Sequence, residues 1–217
     1  MYSLPPQDGP SDAEIVRGWS VVASNPKYEG KRIPDGDGVA LYRLVKHLQP
    51  ERCLEVGYYS GASTIAICSA LRDAGRQPSK QHLALDLEDW NGGPQNVASA
   101  GLGNFVNFVT GDSALTLPRL VDNGETVDFV FIDGNHRFDF CLIDFFYTDR
   151  VLRPGGVLTF HDARCDWPAV DKVLAFVQSN RAYEPLGRYF GLELYQKLHA
   201  DFEKGKFFRD ARVFVDF

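Results

Sequence analysis

Two apolar runs in this sequence each end on titratable side chains. Val127 to Ile132 is followed by Asp133, with His136 three residues later, and Val157 to Phe160 is followed at once by His161 and Asp162. Packing gives charged groups little reason to stand there, since carboxylates and imidazoles stay out of the interior unless paired. Beside a bound molecule, such groups can take or give a proton. His161 read singly could also be a core histidine satisfied by its neighbours.

A second candidate set precedes these in the chain. Glu55-Val56-Gly57-Tyr58-Tyr59-Ser60-Gly61-Ala62-Ser63 follows a short apolar run and opens a helical pattern. Its glycines allow a sharp turn and a close approach of backbone to a ligand. Their spacing is G-x-x-x-G, not the G-x-G-x-x-G of dinucleotide sites. Glu55 would repel a pyrophosphate and suits a ligand bearing an ammonium and a sulfonium. Asp86 ends the next strand-like run, where a carboxylate can accept both hydroxyls of a ribose, or can simply cap a turn. Gly111-Asp112-Ser113 ends the third run, either at the edge of a base or as an N-cap for the next helix.

These positions need a frame that puts them side by side. Strand-like runs at Arg52–Val56, His82–Leu87, Phe105–Thr110, Val127–Ile132 and Val157–Phe160 alternate with helical patterns at Val39–Leu48, Ser60–Ala74, Pro94–Ala100, Ser113–Asp122, Phe138–Val151 and Trp167–Gln178. Such alternation predicts a parallel sheet covered on both faces. In that sheet, ligands bind beyond the carboxyl ends of the strands, where the strand order reverses. Tyr183–Tyr189 and Gly191–Leu198 lie too close for a crossover helix, so they predict a hairpin and an antiparallel strand. Leu152-Arg153-Pro154-Gly155-Gly156-Val157 reads as a helix-to-strand turn. Asn25–Gly38, rich in Pro, Gly and charge, reads as a loop; a helix is expected from Ser11, with Glu14 as the far half of a capping box.

Taken in order, Glu55-x-Gly57-x-x-x-Gly61-x-Ser63, Asp86, Gly111-Asp112-Ser113, Asp133-Gly134-Asn135-His136 and Arg153-Pro154-Gly155-Gly156 to His161-Asp162 resemble class I S-adenosylmethionine-dependent methyltransferases. More narrowly they resemble the small O-methyltransferases of catechol, macrolide-sugar and cephalosporin-related type. The likeness runs from about residue 37 to 198. It implies an α/β, Rossmann-like, doubly wound sheet of seven strands with the last antiparallel and helices on both faces. It implies that Glu55, Gly57, Tyr58, Gly61, Ser63, Asp86, Asp112, Ser113 and Asp133 line the cofactor. In catechol-type relatives a carboxylate after strand four and a polar pair after strand five hold a divalent cation, and a lysine three residues past the first carboxylate is the base. Carried over, Asp133, His161 and Asp162 take the metal positions and His136 the base position, leaving Asp133, His136 and His161 as the catalytic set. An imidazole, with an ordinary pKa of ~6.5, suits that task at neutral pH. A His-Asp pair departs from the family pattern: magnesium prefers oxygen donors, whereas histidine suits manganese, iron or zinc.

The expected domain plan is a leader, helix and substrate-side loop over 1–36, a methyltransferase domain over 37–198, and a tail over 199–217 acting as lid or homodimer contact. The acceptor is expected to be a hydroxyl on a small molecule, because amine and nucleobase enzymes of this kind carry Asn/Asp-Pro-Pro-aromatic where Asp133-Gly134-Asn135-His136 stands. Its walls are expected from Asn25–Gly38 and from the segment after Asp162, including Arg164 and Trp167. Trp19, Trp90 and Trp167 read as ordinary core or lid aromatics. A net charge of −6 without a basic run argues against nucleic acid or an anionic membrane as partner. Met1–Pro10 lacks the pattern of a secretory signal, and Cys53, Cys68, Cys141 and Cys165, far apart, read as free thiols in a reducing cytoplasm. Two other functions compete: an NAD-dependent oxidoreductase, opposed by the glycine spacing and Glu55, and a non-catalytic S-adenosylmethionine-binding protein, opposed by the polar strand ends.

Overall fold

The computed structural model describes residues 4–6, 18–89, 91–164 and 167–199. The helix expected from Ser11, Trp90, Cys165 and the tail beyond His199 lie outside the described residues.

Seven strands form one sheet: β1 Cys53–Val56, β2 His82–Asp86, β3 Val106–Thr110, β4 Val127–Ile132, β5 Leu152–Phe160, β6 Tyr183–Tyr189 and β7 Leu192–Lys197, in the spatial order β3-β2-β1-β4-β5-β7-β6. β1 pairs in parallel with β2 and β4, β2 with β3, and β4 with β5. β7 runs antiparallel to both β5 and β6, so the hairpin read from the sequence inserts its second strand next to the parallel sheet.

The strands are apolar on both sides because both sides are covered. Cys53, Phe129, Phe131, Val157 and Leu194 pack against α2 (Asp35–Leu48) and α3 (Ala62–Asp73), with α1 (Ser20–Ala23) and α4 (Gly93–Ser99) at the margin. The alternating residues Leu54, Val56, Val130, Ile132 and Leu158 pack against α5 (Ser113–Asp122), α6 (Phe138–Val151) and α7 (Pro168–Asn180).

Two local departures from the sequence reading bear on the site. First, α2 begins at Asp35, inside the stretch read as a loop. Pro34 sets the helical entry and Asp35 and Asp37 favour its positive N-terminal end. Gly38 is required because a Cβ there would lie 2.2 Å from the Trp19 ring. Second, β5 begins at Leu152, before the Pro-Gly-Gly turn. Leu152 pairs with Val127 and Val157 with Phe129, so the intervening residues bulge out of the ladder. Gly156 sits where a Cβ would meet the Asp128 carbonyl at 2.9 Å.

Candidate active site

The chain order reverses between β1 and β4, so their carboxyl ends flank the crevice where an open sheet takes its ligands. Backbone hydrogen bonds carry the ladder one residue past each strand. Gly57 N–H donates to Leu85 C=O (2.7 Å), Gly111 N–H to Asp86 C=O (2.8 Å), Asp133 N–H to Val56 C=O (2.8 Å) and His161 N–H to Ile132 C=O (3.1 Å). The first residues beyond four strands are thereby held in fixed relation. Along them runs a cavity of about 920 Å³.

At one end the cavity meets the glycine loop. Gly57 has φ +92°, and a Cβ on it would lie 2.1 Å from the Asp133 carbonyl oxygen, so the turn and the close approach both demand glycine. Tyr59 takes a left-handed backbone, φ 43°, which aims its N–H at Asp86 Oδ2 (2.8 Å), while Leu87 N–H donates to Oδ1 (2.8 Å). Burial raises the Asp86 pKa in spite of these donors. Asp112 caps α5, its Oδ1 accepting from Ala114 N–H at 2.9 Å. Gly57, Tyr58, Ser63, Asp86, Asp112 and Ser113 all line the cavity.

Glu55 and Gly61 are not among the lining residues. The Glu55 carboxylate is fully buried beneath the loop. It accepts from Ser63 Oγ–H and from Thr64 Oγ1–H (2.7 Å), and it lies 2.8 Å from His82 Nε2. A buried carboxylate needs such partners. In this arrangement it ties β1, β2 and the start of α3 together under the loop.

At the other end, Asp133, His136, His161 and Asp162 come together. His161 Nδ1 lies 2.9 Å from Asp162 Oδ2 and 3.2 Å from Asp133 Oδ1, and Nε2 lies 3.0 Å from Asp37 Oδ2. Burial alone would lower the pKa of this imidazole, but Asp133, Asp162 and Asp37 together push it up to about 12, making it a cation with both ring N–H groups donating. His136 Nε2 lies 2.8 Å from Asp162 Oδ2 and 3.7 Å from Asp133 Oδ1, and these two carboxylates raise its pKa to about 9. Burial opposes ionisation of Asp162, yet His136 and His161 hold it well below the usual carboxylate range. Asp162 also has φ 56°, a left-handed backbone that brings its side chain back toward the cluster. Trp167 stacks over His136, ring centroids 4.8 Å apart, and is half exposed.

The residues fit a cation in one way. A carboxylate oxygen of Asp133, one of Asp162 and a ring nitrogen of His136 lie within 4.8 Å of one another. His161 is in contact with the same carboxylates, but each of its nitrogens already faces an acid.

Two residues of the site had no signal strong enough to be singled out from sequence. Asp37 could have been noticed only as an acid in the first turn after Pro34. Asp144 sits on α6 amid apolar neighbours; it lines the cavity at 2% exposure, and its Oδ1 has no hydrogen-bond partner among the described residues. Burial raises its pKa to about 6, with Asp112 adding to the rise and the Ser113 hydroxyl opposing it.

Residues 54–163 match the family model described as "Methyltransferase domain". The chain is 31% identical over 189 residues to catechol O-methyltransferase B of Danio rerio, covering 84% of this chain and 65% of that one. It is 27% identical over 139 residues to the caffeoyl-CoA O-methyltransferase of Petroselinum crispum, covering 62% and 56%. The chain thus spans a little under two thirds, or less, of these curated relatives. Among solved structures, an S-adenosylhomocysteine-bound methyltransferase from Podospora anserina superposes with a TM-score of 0.66 at 19% identity, covering 88% of this chain and 89% of that chain. An O-methyltransferase from Bacillus cereus gives 0.66 at 18%, covering 87% and 92%. At these identities the structures bear on the fold, which is the Rossmann-like one expected.

Proposed function

The chain belongs to the methyltransferase-domain family, and on that premise we propose that it moves a methyl group from S-adenosylmethionine to a hydroxyl of a small molecule. The carrying observation is the single cavity that joins the Gly57–Ser63 loop, Asp86 and Asp112–Ser113 to the cluster of Asp133, His136, His161 and Asp162. One ligand can be held at the first end while it reacts at the second.

When bound, S-adenosylmethionine supplies a methyl group already activated by its sulfonium. The chain must then align an acceptor oxygen with it and receive the hydroxyl proton. Asp86 is proposed to take the ribose hydroxyls, a role supported by the backbone N–H groups of Tyr59 and Leu87 that orient its two oxygens. Asp133 spans the two halves, since its carbonyl closes on Gly57 and its carboxylate joins the cluster. The acceptor enters at the open side, beside the stacked pair of His136 and Trp167. The Trp167 ring offers a flat apolar face, which fits an aromatic acceptor of the phenolic kind that the relatives' names suggest.

His136 is proposed as the proton acceptor. Held between two carboxylates it is mostly protonated at neutral pH, so it works as a base once their charge is offset. A divalent cation on Asp133 and Asp162 would provide that offset and would also acidify the acceptor hydroxyl. His161, fixed by Asp37, is proposed to orient both carboxylates rather than to ligate. A second reading follows from the three clustered donor atoms: His136 Nε2 is itself a ligand, in a site suited to manganese, iron or zinc.

Calorimetric titration with S-adenosylhomocysteine and NADH, followed by a labelled-methyl assay on mono- and dihydroxy aromatics with and without EDTA, tests the proposal. Binding of S-adenosylhomocysteine together with label in an ether product supports it. Binding of NADH alone would sink it.

Cys53, Cys68 and Cys141 are buried free thiols, in keeping with the reducing cytoplasm proposed for the chain. No helix among the described residues is long and apolar enough to cross a membrane.

A further inference from the structure

Asp144 is a carboxylate that the reaction proposed above does not use. It is 2% exposed, yet among the described residues it carries no cationic partner, and the Ser113 hydroxyl is the one group that acts to lower its pKa. Oδ1 is left without a hydrogen-bond partner among the described residues. A fold that needed only a tie between α5 and α6 would be served by an amide, which accepts from a hydroxyl without the cost of burying charge. An acid in the wall of a ligand cavity with a free acceptor oxygen calls for an N–H donor from the ligand.

The surroundings say which part of the ligand that is. Asp144 lies beside Ser113, the first residue of α5 after β3, and Asp112 also acts on it. Val56, Leu85 and Phe140 line the same cavity and offer apolar surface for a flat ring. Gly134 keeps the approach open: a Cβ there would stand 3.0 Å from Asp144 Oδ2 and 3.3 Å from Val56 Cγ1. With Asp86 on the ribose, a base attached to that ribose reaches Ser113 and Asp144.

We infer that Asp144 accepts a hydrogen bond from the exocyclic amino group of the cofactor's adenine, and so is the residue by which this site tells adenine from a 6-oxopurine. The inference rests on the S-adenosylmethionine reading. A 6-oxopurine presents an oxygen where adenine presents N–H, and two acceptors facing each other in a buried site repel. The raised pKa near 6 still leaves Asp144 mostly ionised at pH 7.5, the state in which it accepts most strongly.

The test compares S-adenosylhomocysteine with S-inosylhomocysteine, its 6-oxo counterpart, by calorimetry at pH 7.5 on the whole chain. Wild type, Asp144→Asn and Asp144→Leu are measured, with folding checked by circular dichroism. Asn is isosteric and keeps the acceptor for Ser113, so at least one variant remains folded. Wild type is expected to favour the adenine compound by at least about tenfold. That preference should fall toward unity in Asp144→Leu. In Asp144→Asn it should narrow or invert, because the amide can donate to a 6-oxo group. Tight binding of S-adenosylhomocysteine with the same preference in all three proteins overturns the inference and leaves the cofactor reading intact. Failure of wild type to bind either compound overturns both.

Discussion

His161 Nε2 lies 3.0 Å from Oδ2 of Asp37, a residue 124 positions earlier in the chain. Asp37 is held in turn by Gly191 N–H, which donates to its Oδ1 at 2.7 Å. A Cβ on Gly191 would lie 2.5 Å from that carboxylate, so the β6–β7 turn is built to let the acid in. The start of α2, the end of β5 and the last hairpin therefore meet on one imidazole. With Asp133 and Asp162 on its other nitrogen, His161 is an internal cation serving three acids.

Removing Asp37 should loosen that cation. In Asp37→Asn, turnover is expected to fall about tenfold, the effect of losing one charge-assisted hydrogen bond. Nitrogen-detected NMR on the cation-free protein should show both His161 ring nitrogens protonated at pH 8 in wild type and one released in the variant. A histidine whose folded pKa is raised adds stability in full below its ordinary ~6.5 and loses it as pH climbs toward the folded value. The stability gap between the two proteins should thus be widest below about pH 6.5 and shrink with rising pH. An unchanged His161 titration in the variant would discredit the arrangement.

Gly57 couples the cofactor loop to the catalytic end, and substitution there should damage both. Gly57→Ala places a methyl group 2.1 Å from the Asp133 carbonyl at a φ of +92°. Relief requires the loop or Asp133 to move, at an expected cost of ~3 kcal/mol or more. Urea unfolding and S-adenosylhomocysteine titration would measure the two effects. A variant with wild-type stability and affinity would show that the loop is not packed this tightly on Asp133.

The frame of this molecule is legible because each strand is a short apolar run bounded by turn residues, and because Asp133, His136, His161 and Asp162 interrupt two of those runs with charge. Direction was harder to read than position. The loop pattern locates Glu55, yet its side chain turns inward to His82, Ser63 and Thr64, and nothing in Glu55-x-Gly57 states which face of β1 it takes. Asp37 hides in a Pro/Gly-rich stretch whose glycines suggest a loop, although Gly38 is there to admit Trp19. Asp139, Asp144 and Asp149 recur along α6 like surface acids. Only packing against β4, β5 and α5 reveals that the latter two are buried.

His136 separates the two accounts of the cluster. As the base, His136→Ala should lose about a hundredfold or more in turnover while Mn(II) affinity, followed by electron paramagnetic resonance, holds. As a ligand, it should lose Mn(II) affinity first, by tens of fold, with turnover recovered at high Mn(II). EDTA treatment that leaves turnover untouched would remove the cation from both accounts.

Asp144 should make the ligand-free protein less stable than it could be. Its folded pKa of about 6 exceeds the ordinary 3.8, with burial the main cause. For an acid shifted upward the sign is a penalty: it is full above the folded pKa, fades as pH falls from about 6 toward 4, and is absent once both states are protonated. At 1.36 kcal/mol per tenfold, the interval sets a ceiling of roughly 3 kcal/mol. Asp144→Asn keeps the shape and the acceptor for Ser113 but removes the charge, so its urea midpoint should exceed that of wild type at pH 8 and converge with it near pH 4. Saturating S-adenosylhomocysteine should narrow the gap at pH 8, because wild type then gains the hydrogen bond that its carboxylate is proposed to make. If Asp144→Asn were the less stable protein at pH 8 without ligand, the carboxylate would have a stabilising partner within the fold, and its role in recognising the base would lose its physical ground.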